Sequence, residues 1–156
     1  MIRVQQEPFE AGTELARLKK GKVSVGGTVI FIGTMRDLSD EEDVTEMTLE
    51  HYPGMTERAL NEIETEARRR WPVDDVLIIH RYGTLRPGED IVLVIVTSAH
   101  RGGAFEACHF LIDWLKTKAP FWKLEKGSSG ARWAKAKTGD DEAAARWDRN
   151  QPEIAD

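Results

Sequence analysis

Ile91-Val92-Leu93-Val94-Ile95-Val96-Thr97-Ser98 has almost no polar face. Successive side chains of a strand point to opposite sides, so a half-exposed strand alternates apolar and polar residues. An unbroken β-branched run is instead a strand covered on both faces, and this one is expected at the centre of a sheet. Downstream, Gly102-Gly103 leads into a helical segment from Ala104 to about Lys118, which stops before Pro120. Upstream, Arg86-Pro87-Gly88-Glu89 is a turn. It connects back to another apolar strand, Val76 to Tyr82.

The rest of the chain adds strands and helices around that centre. Val23 to Gly33 is apolar and β-branched, with Gly26-Gly27 marking a bulge or bend. Thr45 to Tyr52 sets Met47 and Leu49 against Glu46, Thr48 and Glu50, the pattern of a half-buried strand. Pro53-Gly54 turns the chain into a helix from about Thr56 to Arg70, with Ala59, Ile63 and Ala67 as its apolar stripe, ended by Trp71-Pro72. Phe121 to Lys126 and Ala131 to Lys137 can pair as a hairpin around Gly127-Ser128-Ser129-Gly130. Short helices are expected at Glu14 to Lys20 and Asp141 to Arg149. The order reads as α+β, a sheet carrying two principal helices.

The 156 residues suit one domain, expected over residues 1–150, with a frayed polar tail at 151–156. No apolar run reaches the ~18 residues that a membrane span needs, and Met1-Ile2-Arg3-Val4-Gln5 has no signal-peptide core. A single cysteine excludes an internal disulfide, all-cysteine zinc sites and Cys-x-x-Cys redox chemistry, which suits a reducing cytoplasm. The net charge of -5 conceals a segregation. Acids crowd the stretch from Asp37 to Glu50, whereas Lys116, Lys118, Lys123, Lys126, Arg132, Lys135 and Lys137 face only Glu125. A basic segment inside an acidic protein can dock an anion, although most surface lysines are simply solvated. The charge has the wrong sign for nucleic acid, and no nucleic-acid motif is present.

Three places could carry chemistry. His100 and Arg101 lie where the central strand passes into a helix, and a helix N-terminus with free N–H groups favours an anion such as phosphate. Capping of a neighbouring element is the plain alternative. Lys116 continues the stripe Phe105, Cys108, Ile112 and Leu115; a lysine with a desolvated ammonium can serve in acid–base or nucleophilic chemistry. A lysine in the last turn also simply complements the helix dipole. Lys123 follows Ala119-Pro120-Phe121-Trp122 on a different element, at what reads as a cleft edge. Arg36 closes the first long strand. His51, His80 and His109 lack metal-ligand spacing, and Cys108 falls on the buried stripe as inert core. There is no Gly-x-Ser-x-Gly, Walker A or dinucleotide fingerprint.

Several of these stretches together form a recognisable pattern. Leu49-Glu50-His51-Tyr52-Pro53-Gly54-Met55, Ile79-His80-Arg81-Tyr82-Gly83, Ser98-Ala99-His100-Arg101, Ala104-Phe105 and Leu115-Lys116-Thr117-Lys118-Ala119-Pro120-Phe121-Trp122-Lys123 closely resemble the MoaE family, the large subunits of molybdopterin synthase. The likeness runs from about Val23 to Trp147. It implies an α/β hammerhead-like fold with an added small antiparallel subdomain, and a homodimer of large subunits at the centre of a heterotetramer. Each large subunit would bind a small ubiquitin-like sulfur carrier of the MoaD type, whose C-terminal glycine thiocarboxylate delivers sulfur. The acceptor would be cyclic pyranopterin monophosphate, which becomes the molybdopterin dithiolene. The resemblance places catalytic lysines at Lys116 and Lys123, and substrate contacts at Arg36, His100, Arg101 and Lys137. It implies no cofactor, metal, nucleic acid or membrane partner. A non-catalytic module for a ubiquitin-like tail is the competing reading, opposed by both lysines and the His-Arg pair. A phosphate-ester hydrolase using His100 lacks metal ligands and a positioned nucleophile.

Overall fold

The computed structural model describes residues 1–37, 43–135 and 138–149. Its elements run β1 (Ile2–Gln5), α1 (Ala11–Lys19), β2 (Gly27–Thr34), β3 (Glu46–His51), α2 (Met55–Arg70), β4 (Asp75–Arg81), β5 (Gly83–Leu85), β6 (Asp90–Ser98), α3 (Arg101–Lys118), β7 (Phe121–Gly127), β8 (Gly130–Trp133) and α4 (Thr138–Arg149). They form a mixed α+β domain with two four-stranded sheets, ordered β1-β4-β6-β2 and β5-β3-β7-β8.

The run that reads as a central strand is central. β6 lies antiparallel between β4 and β2, and Val92 to Ser98 are all buried. Its alternate residues serve different layers. Val92, Val94 and Val96 join Val76 and Ile78 beneath α2 and α3. Leu93 and Ile95 join Leu77 and Ile79 against Leu18 of α1. Each large apolar side chain so buried contributes about 1.5–3 kcal/mol relative to exposure, which fixes the strand's register. The second sheet is wholly antiparallel and closes its own small core of Met35, Val44, Met47, Leu49 and Leu85.

Several boundaries move, each for a physical reason. β2 starts at Gly27, not Val23, whose side chain is fully exposed. Gly26 lies against the Ala99 carbonyl, where a Cβ would sit 2.1 Å from the oxygen, so this glycine pair marks a close approach. The register shift in β2 falls at Gly33/Thr34. On α2 the buried stripe is Leu60, Ile63 and Ala67, with Ala59 only half-buried. On α3 the buried face is Ala104, Ala107, Cys108, Phe110, Leu111 and Leu115, and Phe105 is 62% exposed. β1 and β5 have too few apolar residues to announce themselves; β1 is recruited by parallel pairing to β4. Lys137 and the tail at 151–156 lie outside the described residues.

Candidate functional site

The direction of α3 decides which candidate residues can meet. The chain leaves β6 at Ser98 and packs α3 back across β6 and β2, so the helix retraces the strand. Eighteen helical residues span about 27 Å, close to the roughly 30 Å of a nine-residue strand. Lys116, in the last turn of α3, is thereby returned to the end of the sheet where β6 begins. β2 ends there too, because Thr34 pairs with Asp90. Arg36 follows directly and is exposed, while the preceding Met35 is buried and tied by backbone hydrogen bonds to Glu89 and Gly88. β4 also finishes at this end, with His80 opposite Val92.

Pro120 stops α3 and starts β7 at Phe121, so Lys123 enters the second sheet at the same end. Its backbone is held on both sides: Leu49 of β3 is its register partner, and its carbonyl accepts a hydrogen bond from Ala134 N–H at 2.8 Å. Period-two alternation puts Phe121 and Lys123 on one face of β7. There the Phe121 ring stacks on buried His80, with centroids 3.8 Å apart and planes at 18°. His51, opposite Phe121 in the ladder, lies 6.1 Å from the same ring and 4.5 Å from that of Tyr82. The His80 imidazole is pushed down to about 4, first by burial, with the charge of Lys123 and His51 acting in the same direction against a backbone hydrogen bond. His80 is therefore neutral at physiological pH.

Lys116 is not desolvated. Its side chain is 53% exposed and ion-paired with Asp140 of α4 at 3.7 Å. An exposed pair of this kind is worth no more than about 1 kcal/mol, so the ammonium remains available to another anion. Asp140 stands out in the sequence only as one of the acids after Thr138; that it faces Lys116 follows from the packing of α4 against α3. In the sequence His80 is a strand histidine without metal-ligand spacing and part of the family-like stretch Ile79 to Gly83, with no role of its own. Its contact with Phe121 joins residues on two different sheets, which no local pattern reveals.

His100 and Arg101 occupy the opposite end. His100 is the N-cap of α3 with no side-chain cap bond, both residues are exposed, and their backbone passes beside Gly27. Arg101 and Lys116 are fifteen residues apart on one continuous helix, about 22 Å along its axis. The two residues stand together at the N-terminus of α3, as expected, but one chain does not bring them to the lysines. Lys137 lies outside the described residues.

Cys108 is buried, and burial alone pushes its thiol up to about 12, which removes it as a nucleophile at neutral pH. Among the described residues no group of three His, Cys, Asp or Glu side chains could hold a metal ion.

Comparison with known proteins gives a consistent answer. The family model described as "MoaE protein" matches residues 4–118. A Ralstonia nicotianae protein named "Molybdopterin synthase catalytic subunit" is 53% identical over 146 residues, covering 94% of this chain and 83% of its own. Among solved structures, a molybdopterin biosynthesis MoaE protein from Burkholderia ambifaria superposes with a TM-score of 0.82 at 49% identity, covering 95% of this chain and 97% of that one. Molybdopterin synthase from Staphylococcus aureus gives a TM-score of 0.77 at 30% identity, covering 85% and 96%.

Proposed function

The chain belongs to the MoaE family, and from that membership we infer that it is the catalytic subunit of a molybdopterin synthase. It transfers sulfur from the C-terminal thiocarboxylate of a small ubiquitin-like subunit to cyclic pyranopterin monophosphate, forming the dithiolene of molybdopterin. The observation that best supports the site assignment is the convergence of Arg36, Lys116 and Lys123 at one end of the main sheet. All three are cations, and both the thiocarboxylate and the substrate phosphate are anions.

Lys116 engages the glycyl carbonyl of the incoming tail and stabilises the charge that develops as sulfur leaves it. Before the tail arrives, its ammonium is occupied by Asp140. Lys123, held by the β7 ladder, moves protons on the pterin side chain. The two lysine roles could be exchanged without changing the geometry. His100 and Arg101 hold the substrate phosphate at the N-terminus of α3. Because that end is about 22 Å from Lys116 within one chain, the phosphate anchor is supplied by the second large subunit of a central homodimer. Arg36 lies on the lysine side, and Lys137 is assigned to the substrate from the family resemblance alone. No helix of the described residues is long and apolar enough to cross a membrane, and we place the reaction in the cytoplasm.

The test is a reconstitution with thiocarboxylated small subunit and cyclic pyranopterin monophosphate. Wild-type protein is expected to form molybdopterin, and Lys116→Ala to form little. Molybdopterin at near wild-type rate from Lys116→Ala would overturn the assignment. Complex formation without product from the wild type would favour a binding module instead.

A further inference from the structure

His80 has no part in the reaction as described, yet it is a buried ionisable side chain at the lysine end of the sheet. Its surroundings are specific. The ring lies flat on Phe121, the first residue of β7. Nδ1 is 2.8 Å from the Arg81 carbonyl, and since a carbonyl only accepts, Nδ1 carries the proton and Nε2 the lone pair. The Arg81 guanidinium turns elsewhere, donating to the carbonyls of Gln6 and Asp90. The charged or titratable groups whose influence reaches the imidazole are Lys123 of β7 and His51 of β3.

Phe121 also joins the two sheets. On one side it is laddered to His51 in the second sheet; on the other it rests on His80 at the end of the main sheet. Between Lys118 and Phe121 there are only Ala119 and Pro120, so the entry of β7 has little slack. We propose that His80 is a positioning residue for Lys123: its ring, stacked on Phe121, sets the angle at which β7 leaves α3 and so aims the Lys123 side chain at the end of the main sheet.

This rests on the assignment of Lys123 to the reaction. Stacked rings have a preferred mutual orientation as well as a preferred spacing, whereas an aliphatic contact has no such orientational preference. An imidazole that stays neutral performs this task without repelling the ammonium beside it, which a protonated ring would do.

The proposal makes the ring, and not its nitrogens, the working part. His80→Gln keeps a polar donor and loses the ring; His80→Phe keeps the ring and loses the donor. In the reconstituted synthase, kcat at saturating small subunit and substrate is measured for both, with thermal melting to confirm folding. Displacing a reacting group by about 1 Å costs up to 10²-fold, so His80→Gln is expected to lower kcat roughly 10–100-fold with KM for the small subunit unchanged. His80→Phe is expected to stay within about threefold of wild type. Phe121→Leu removes the same stack from the other side and should reproduce the His80→Gln loss, which keeps the test decisive if one His80 variant folds poorly. Wild-type kcat in folded His80→Gln and Phe121→Leu would overturn the proposal. A loss in His80→Phe as deep as that in His80→Gln would also overturn it, by showing that the nitrogens matter. Failure of the wild type to make product is a different result, and would count against the sulfur-transfer reading itself.

Discussion

At the scale of single residues, burial sorts the ionisable groups into working and silent ones. Cys108 is silent: with its thiol near 12 and its side chain on the buried face of α3, native protein should resist alkylation at pH 7.5 and react fully once unfolded in guanidinium. Rapid native labelling, read by intact mass, would contradict that packing. His80 is silent as a base but costs stability in acid. Its folded value is about 4 against an ordinary 6.5, so the unfolded chain binds the proton first as pH falls. The stability tied to the neutral ring is complete above about pH 6.5, declines below it, and is gone near pH 4. Between pH 7.5 and 5 wild type should lose about 2 kcal/mol more than His80→Phe in urea unfolding. Equal losses in the two proteins would show that the ring is not held neutral. Lysines 116 and 123 were legible in the sequence because a helix end, a proline and a strand start place them by local rules. The His80–Phe121 stack was not, since its partners meet only when two sheets are assembled.

At the scale of elements, α3 illustrates both the strength and the limit of periodicity. Its existence and its end before Pro120 follow from the sequence, but its buried face was rotated by the assumption that Phe105 must be inside. The face is set by Ala104, Ala107, Cys108, Leu111 and Leu115, at i, i+3, i+4, i+7 and i+11, and Phe105 lies about 100° away from Ala104. α4 shows how an element with a modest apolar stripe is captured. Trp147 buries its ring edge-on against Trp71 and Phe110, and donates Nε1–H to Asp113 at 2.7 Å. Arg70 donates to the Trp147 carbonyl at 2.7 Å, and Arg146 pairs with Asp113. Trp147→Ala should therefore cost about 3–5 kcal/mol in denaturant unfolding. Asp140→Asn, which removes only the exposed pair with Lys116, should cost less than about 1 kcal/mol. A similar cost for the two changes would show that α4 is held by its ion pair and not by its tryptophan.

At the scale of the whole molecule, the α+β class was expected from the pattern of elements and the added antiparallel subdomain from the family resemblance, but the separation of the proposed site residues was not. The sequence sets His100, Arg101, Lys116 and Lys123 within one short stretch, which invites placing them around one pocket. The helix between them is a rigid spacer of about 22 Å and puts them at opposite ends of the fold. A two-fold dimer resolves this if the α3 N-terminus of one chain meets the lysine end of the other, because an isologous contact makes two equivalent composite sites. The consequence is complementation. Arg101→Ala and Lys116→Ala are each expected to be nearly inactive alone. In a mixed dimer one site inherits both defects, and the other combines intact Lys116 from one chain with intact Arg101 from its partner. With random exchange half of the dimers are mixed and each has one good site of two, so about a quarter of wild-type activity should return. Exchange is verified by native mass spectrometry of mass-tagged chains before molybdopterin is assayed. Full exchange without recovery would mean that each chain completes its own site, and would require the substrate phosphate to be held by residues at the lysine end, with Arg36 the first to be tested.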